Sequence, residues 1–246
     1  MKSKNKNTSL FKSEKKISKK SLAVKSPKPL KKQILVVDDH PMVRMGFVQL
    51  IGNEPDLEIC GEAEHVSAAL TIIAEKQPDL VITDISLPGR NGIELIKDLG
   101  VLHPKMLILV VSMHDEVLYA DRALRAGARG YVMKGAGPAK LLSAIRWVLG
   151  GQIYVSEQMS SRVLEMLSNK KNGKTNSPIE KLTDREFEIF ELIGQGMATG
   201  KIATQLHLST KTVEAHRANI KAKLELPDGS ALVRHAVRWV ETQNLS

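Results

Sequence analysis

The sequence predicts a doubly wound, five-stranded parallel α/β domain followed by a small all-α domain, and three observations predict it. Between Gln33 and Gly150, short β-branched runs alternate five times with stretches of helical periodicity, which is the pattern of one parallel sheet with right-handed crossovers. Acidic, hydroxyl and basic residues recur where those strands should end, at the edge over which open α/β sheets bind ligands. Beyond residue 178 four short helical stretches follow one another, separated by cap and turn signals.

Strands are expected at about 33–38, 57–63, 79–84, 106–112 and 130–134, and helices at about 41–52, 66–76, 92–99, 115–126 and 138–149. The run Asp79–Thr83 is apolar and β-branched, and Pro88, Gly89 and Gly92 supply loop chemistry soon after it, so Asp84 falls at the strand's carboxyl end. Gly127 and Gly130 bracket the turn into the last strand, and Pro138 suits the first turn of the last helix. In the second domain Thr183 and Glu186 form a capping-box pattern for a helix running to Ile193, which Gly194 and Gly196 end. A short helix at about Thr199–Leu206, a turn, a helix capped by Ser209 or Thr210 and running to Leu224, and a last one at about Ser230–Thr242 complete a helix-turn-helix arrangement.

These readings divide the chain into a basic tail (1–32), an α/β domain (33–152), an extension and linker (153–178) and a helical domain (179–246). The tail holds twelve lysines and one glutamate with few apolar residues, a composition that cannot bury a core and reads as disordered. It lacks the apolar core of a signal peptide. Most of the net charge of +9 lies there: residues 33–168 hold 12 basic against 17 acidic side chains, and residues 179–246 balance nine against nine. The basic character of the chain is therefore no evidence by itself for nucleic-acid binding. Arg162–Leu167 suits a helix, and the polar run from Ser168 to Pro178 suits a flexible linker. The single cysteine, Cys60, rules out an internal disulfide, fits a reducing, cytoplasmic setting, and is expected to be a small buried side chain. The longest apolar run, Met106–Val111, is far too short to cross a bilayer, so no membrane contact is expected.

The strand ends suggest one chemistry. Asp38 and Asp39 close the first strand, Asp84 the third, Ser112 the fourth and Lys134 the fifth. A magnesium ion takes hard oxygen ligands and keeps several waters. Asp39 and Asp84 suit direct ligation, Asp38 acts through water, and the backbone carbonyl of Ser86 completes the set. Asp84 then serves as a carboxylate nucleophile for a phosphoryl group. Lys134 pairs with Asp84 or with an oxygen on it, and Ser112 holds another oxygen. An acid pair after a strand is often only a helix cap, and a lone lysine is usually solvated; all of them together in successive βα units are hard to explain otherwise. An aspartate-dependent phosphatase is the rival enzyme, but it needs an Asp-x-Asp first strand where this one ends Asp38-Asp39-His40-Pro41.

Val36–Pro41, Thr83–Gly89, Val111-Ser112 and Gly130–Lys134 resemble the receiver domain of two-component response regulators. The resemblance implies that Asp84 is the phosphate acceptor, that Asp38 and Asp39 hold magnesium, and that Ser112 and Lys134 contact the phosphoryl group. It adds Tyr131 as an aromatic switch residue that packs inward as Ser112 moves toward the phosphoryl group. One departure is Gly135 after Lys134, where other receivers commonly carry proline.

At 100° per residue Val213, Ile220 and Leu224 fall within about 20° of one line, a buried seam, with Lys211, Ala215, Ala218 and Ala222 opposite. Residues 197–224 carry Lys201, Lys211, Arg217, Lys221 and Lys223 against only Glu214. Leu182–Glu186 and Lys211–Ile220 resemble the LuxR-type helix-turn-helix, and the chain beyond residue 32 resembles the NarL/FixJ class of transcriptional response regulators. That resemblance implies Lys211, Glu214, Ala215, Ala218 and Asn219 near base edges of promoter DNA and Lys201, Thr212, Arg217 and Lys221 on phosphates. His216, at the side of the seam, is expected to pack. A sensor histidine kinase would donate the phosphoryl group, and the protein itself would catalyse only its own phosphotransfer and dephosphorylation. A homodimer on DNA would use the stripe Leu232, Val233, Ala236 and Val240 of the last helix, unless that stripe closes the domain's own core. A receiver acting as a phosphate sink with a vestigial helix-turn-helix, or one whose DNA binding ignores phosphorylation, is the alternative.

Overall fold

The computed structural model describes residues 31–161 and 178–244. The tail up to residue 30, the helix expected at Arg162–Leu167 and the linker up to residue 177 lie outside them.

Five strands, β1 (Lys32–Val37), β2 (Leu57–Ala63), β3 (Leu80–Thr83), β4 (Leu107–Ser112) and β5 (Gly130–Met133), pair in the order β2-β1-β3-β4-β5. All four ladders are parallel. Helices α1 (Pro41–Gly52), α2 (Val66–Lys76), α3 (Gly92–Leu102), α4 (Glu116–Ala126) and α5 (Pro138–Leu149) make the crossovers. β1 starts one residue before the expected position, inside the expected tail, because Asp79 accepts from both the Lys32 ammonium (2.7 Å) and the Gln33 amide (2.8 Å). Helix α3 runs three residues past the expected Leu99, to Leu102.

Alternation along the strands splits the core into two layers. Ile34, Val36, Ile82, Leu109 and Val111 pack on α1 and α5, with Phe47, Ile51, Ile145 and Val148. Leu35, Val37, Val81, Val110 and Tyr131 face α2, α3 and α4, and this layer is continuous with the core of the helical domain through Tyr119, Phe187 and Phe190. Cys60 is half-buried against it rather than enclosed. The strand order reverses between β1 and β3, so their carboxyl ends flank the crevice such sheets use for ligands. After α5 the chain returns to the sheet edge past residue 152: Tyr131 N donates to Tyr154 O and Tyr154 N to Arg129 O, both at 2.9 Å.

The second domain comprises α6 (Asp184–Gly194), α7 (Thr199–Gln205), α8 (Thr210–Lys223) and α9 (Gly229–Asn244). The capping box is formed: Glu186 N donates to Thr183 Oγ1 (3.3 Å) and Thr183 N to Glu186 Oε2 (2.8 Å). Ser209, not Thr210, caps α8. Helix α9 packs on α6 through Trp239, whose ring centroid lies 5.4 Å from Phe187 and 5.7 Å from Phe190. At Gly194 a Cβ would sit 2.5 Å from Val240 Cγ2, so only glycine lets the end of α6 approach α9 so closely. Leu232 and Ala236 are fully buried. The stripe expected to form a dimer contact is thus largely the domain's own core, with Val233 the exposed member.

One glycine ties the fold to the site. A Cβ on Gly92 would stand 1.9 Å from the Asp84 carbonyl oxygen, whereas nothing lies within 4 Å of one built on Gly135. Gly92→Ala should therefore lower the urea unfolding midpoint, at a cost of at least about 2 kcal/mol, and Gly135→Ala should stay within about 0.5 kcal/mol of wild type.

Candidate functional site

Asp38, Asp39, Asp84 and Lys134 meet at the carboxyl edge of the sheet. The Lys134 ammonium lies 2.6 Å from Asp84 Oδ2 and 2.7 Å from Asp38 Oδ2. Asp84 Oδ1 accepts from the Ile85 amide at 2.6 Å. Asp38 and Asp84 are almost fully buried, and Asp39 is partly so. One ammonium cannot neutralise three carboxylates. Burial pushes the Asp38 carboxyl up, against the pull of Lys134 and with help from the Asp84 charge. Burial also opposes the charge on Lys134, but Asp84 and Asp38 outweigh it and raise its pKa.

Asp38 Oδ2 and Asp39 Oδ1 are buried and, among the described residues, accept no hydrogen bond beyond their close approach to the Lys134 ammonium (2.7 Å) and to His40 Nδ1 (2.6 Å). Ligand atoms of Asp38, Asp39, His40 and Asp84 lie within 4.8 Å of one another. Hard oxygens in excess of the local positive charge fit a divalent cation such as magnesium.

The site opens into a cleft of about 930 Å³ that both domains line: Asp39, Asp84, Ser112 and Lys134 from one side, Thr204 and His207 from the other. His207 Nε2 lies 3.4 Å from Asp39 Oδ2. Ser112 is buried at the end of β4. Tyr131 is already packed inward, 1 % exposed, and its hydroxyl donates to the His114 carbonyl at 2.9 Å.

What stands beside this pocket left no trace in the order of residues. Helix α6 lies against the α/β domain, and every residue from Asp184 to Ile193 is buried. Glu188, with no exposed surface, accepts from Ser86 Oγ (2.5 Å), Asn91 Nδ2 (2.9 Å) and Arg185 Nη1 (2.8 Å). Arg185 also donates to the Leu87 and Gly89 carbonyls, and Glu191 accepts from the Tyr119 hydroxyl at 2.5 Å. The His114 imidazole fits between the two glutamates, 3.8 Å from Glu188 and 3.4 Å from Glu191. Burial works against its charge, yet those carboxylates raise its pKa to about 10. Glu188 is held low, since His114 and Arg185 outweigh its burial. At the other end of α6, Asp184 pairs with Lys97 (2.6 Å) and Arg122 (3.2 Å), and Arg122 lies 4.1 Å over the Phe187 ring. Acidic residues on a helix ordinarily read as a solvated face, so only the docked partner reveals them.

On α8, Lys211, Glu214, Ala215, Ala218 and Asn219 are all exposed, while Val213 and Ile220 are buried. Glu214 accepts from Thr199 Oγ1 at 2.9 Å and lies 3.6 Å from Arg217. Lys201 is exposed, whereas Thr212, Arg217 and Lys221 are half-buried. His216 is half-buried, as a packing residue should be. Lys223 is taken up by Glu186 at 2.5 Å.

The family model for the response regulator receiver domain matches residues 34–146, and that for bacterial regulatory proteins of the luxR family matches residues 180–236. The oxygen regulatory protein NreC of Staphylococcus haemolyticus (strain JCSC1435) is 35% identical over 210 residues, covering 84% of this chain and 97% of that protein. The structure of RcsB from Salmonella enterica serovar Typhimurium bound to promoter P1flhDC in the presence of phosphomimetic BeF3- is similar with TM-score 0.55 and 26% identity, over 84% of this chain and 98% of the other. A LuxR-family two-component response regulator from Aurantimonas sp. SI85-9A1 aligns with TM-score 0.53 and 34% identity, over 56% of this chain and 99% of that one.

Two stability changes follow from the geometry. Asp38 has a raised pKa, so its ionisation costs folded-state stability at neutral pH, a cost that grows as pH rises from its ordinary value through the raised one. Asp38→Asn should raise the urea midpoint at pH 7 in chelator-containing buffer. Glu188→Ala leaves Arg185, His114, Asn91 and Ser86 without their shared acceptor and should destabilise the two-domain unit by about 3–5 kcal/mol in the same measurement.

Proposed function

The chain belongs to the response regulators that join a receiver domain to a LuxR-type DNA-binding domain, and from that premise we propose that it is a transcription regulator controlled by phosphorylation of Asp84. The observation that carries this reading is the Lys134 ammonium shared between the buried carboxylates Asp84 and Asp38 at the sheet's switch point. A carboxylate oxygen of Asp84 attacks phosphorus as the bond to a sensor kinase's histidine nitrogen breaks. Lys134 balances the charge on the transferred oxygens, and the Ser112 hydroxyl donates to one of them. Asp39, Asp84 and the Ser86 carbonyl would hold magnesium directly, with Asp38 through water; bound there, it neutralises charge on the phosphoryl oxygens.

The added phosphoryl charge, about −1.5 to −2 by analogy with other phosphorylated side chains, acts on the loops to which α6 is docked. Release of that contact frees the helix-turn-helix to meet a second copy on DNA, at half-sites about 34 Å apart. Lys211, Glu214, Ala215, Ala218 and Asn219 then face base edges, with Lys201, Thr212, Arg217 and Lys221 on phosphates. No helix among the described residues is long and apolar enough to cross a membrane, and a cytoplasmic setting suits a DNA-binding regulator.

Incubation with magnesium and acetyl phosphate should give one phosphoryl adduct, mapped to Asp84 by mass spectrometry and lost in Asp84→Asn and on chelation. Asn219→Ala should cost about 1–3 kcal/mol of discrimination between operator and mismatched duplex in gel-shift titrations. An adduct elsewhere, or undiminished labelling of Asp84→Asn, refutes the acceptor assignment.

A further inference from the structure

We infer that His114 is the positioning residue through which the docked helix-turn-helix domain restrains the acceptor site. The inference rests on Asp84 being the acceptor and Ser112 its hydroxyl partner.

His114 serves two structures at once. Its backbone belongs to the switch: His114 N donates to Ser112 Oγ at 3.4 Å, and His114 O accepts from the Tyr131 hydroxyl at 2.9 Å. Its side chain belongs to the interface. Nε2 lies 2.8 Å from Ser86 Oγ and 3.8 Å from Glu188, Nδ1 lies 3.4 Å from Glu191, and the ring sits 4.4 Å from that of Tyr119. Both glutamates come from α6 of the DNA-binding domain and are buried. Among the described residues no other side chain contacts both glutamates while its backbone is bonded to both Ser112 and Tyr131.

Contacts of 3.4–3.8 Å stand at the outer limit for such pairs, and hydrogen bonding fails steeply beyond it. A shift of Ser112 toward an oxygen on Asp84 carries the loop two residues away, and the imidazole leaves the two carboxylates. Docked α6 resists that shift. Coupling of this kind is reciprocal: whatever undocks α6 makes the acceptor site easier to load, by the factor with which loading undocks α6.

A double-mutant cycle on the full chain tests this, with His207→Ala in every chain because His207 of the helical domain lies 3.4 Å from Asp39 and would otherwise act on the pocket directly. Arg122→Glu opposes docking at the far end of α6, against Asp184 and the Leu182 and Ile179 carbonyls, and touches neither His114 nor the acidic pocket. Affinity for beryllofluoride with magnesium, read by calorimetry, reports loading, and the radius of gyration from X-ray scattering reports docking. Arg122→Glu should enlarge the radius and tighten beryllofluoride binding about tenfold. In a His114→Ala background, or His114→Gln should the alanine variant fail to fold, it should still enlarge the radius but no longer tighten binding. Equal tightening with and without His114, or none with His114 present, overturns the inference. Absence of beryllofluoride binding in every chain, and in the wild type, instead overturns the acceptor reading on which it rests.

Discussion

Charge balance at the carboxyl edge of the sheet governs this molecule. Three carboxylates converge there with one ammonium, and Asp38 is pushed up even though Lys134 lies 2.7 Å away. The fold accepts that cost because strand order forces it: β1 and β3 are neighbours whose onward connections leave on opposite sides, so their terminal aspartates face one crevice. The same excess makes the pocket a receptor for positive charge. It holds Lys134 across from β5, with His207 of the other domain 3.4 Å from Asp39, and the oxygens of Asp38 and Asp39 offer the hard donors that a divalent cation takes. Chemistry and instability have one source here.

Helix α6 must satisfy two neighbours. One side holds the helical domain together through Phe187, Phe190 and the close approach of Gly194 to α9. The other side presents Asp184, Arg185, Glu188 and Glu191 to the receiver. That second contact joins these ion pairs and hydrogen bonds to an apolar seam in which Tyr119 packs 5.1 Å from Phe187. Buried ion pairs recover little more than their desolvation cost, and the same glutamates are well solvated once exposed. So many ion pairs make the docked geometry specific, which suits the release on phosphorylation proposed above.

The receiver was legible because its signals are local. Apolar, β-branched runs located all five strands, and Pro138, Thr183 and Ser209 marked helix starts by chemistry that needs no tertiary partner. Asp38, Asp39, Asp84 and Lys134 could be placed together because strand ends in a doubly wound sheet share one edge. What failed to show in the sequence depends on long-range contact. Glu188 and Ser86 lie 102 positions apart, and nothing in the run Asp184–Gly194 distinguishes a glutamate aimed at water from one aimed at a histidine. The apolar stripe of α9 had two possible uses, and periodicity alone could not choose between a partner and the domain's own α6. Burial of Leu232 and Ala236 decides for the latter.

Docking through α6 has a consequence for how DNA binding is controlled. The outer face of α8 is exposed in the docked arrangement, from Lys211 to Asn219, so docking leaves uncovered the residues proposed above for base edges. What docking removes is freedom of orientation. A recognition helix in a dimer reads its half-site with its partner about one turn of duplex away, and on the proposed reading the clamp of Arg185, Glu188 and Asp184 holds the domain away from that arrangement. On the proposed reading control lies in geometry rather than in masking: the contacts that hold the domain to the receiver lie on α6, away from α8.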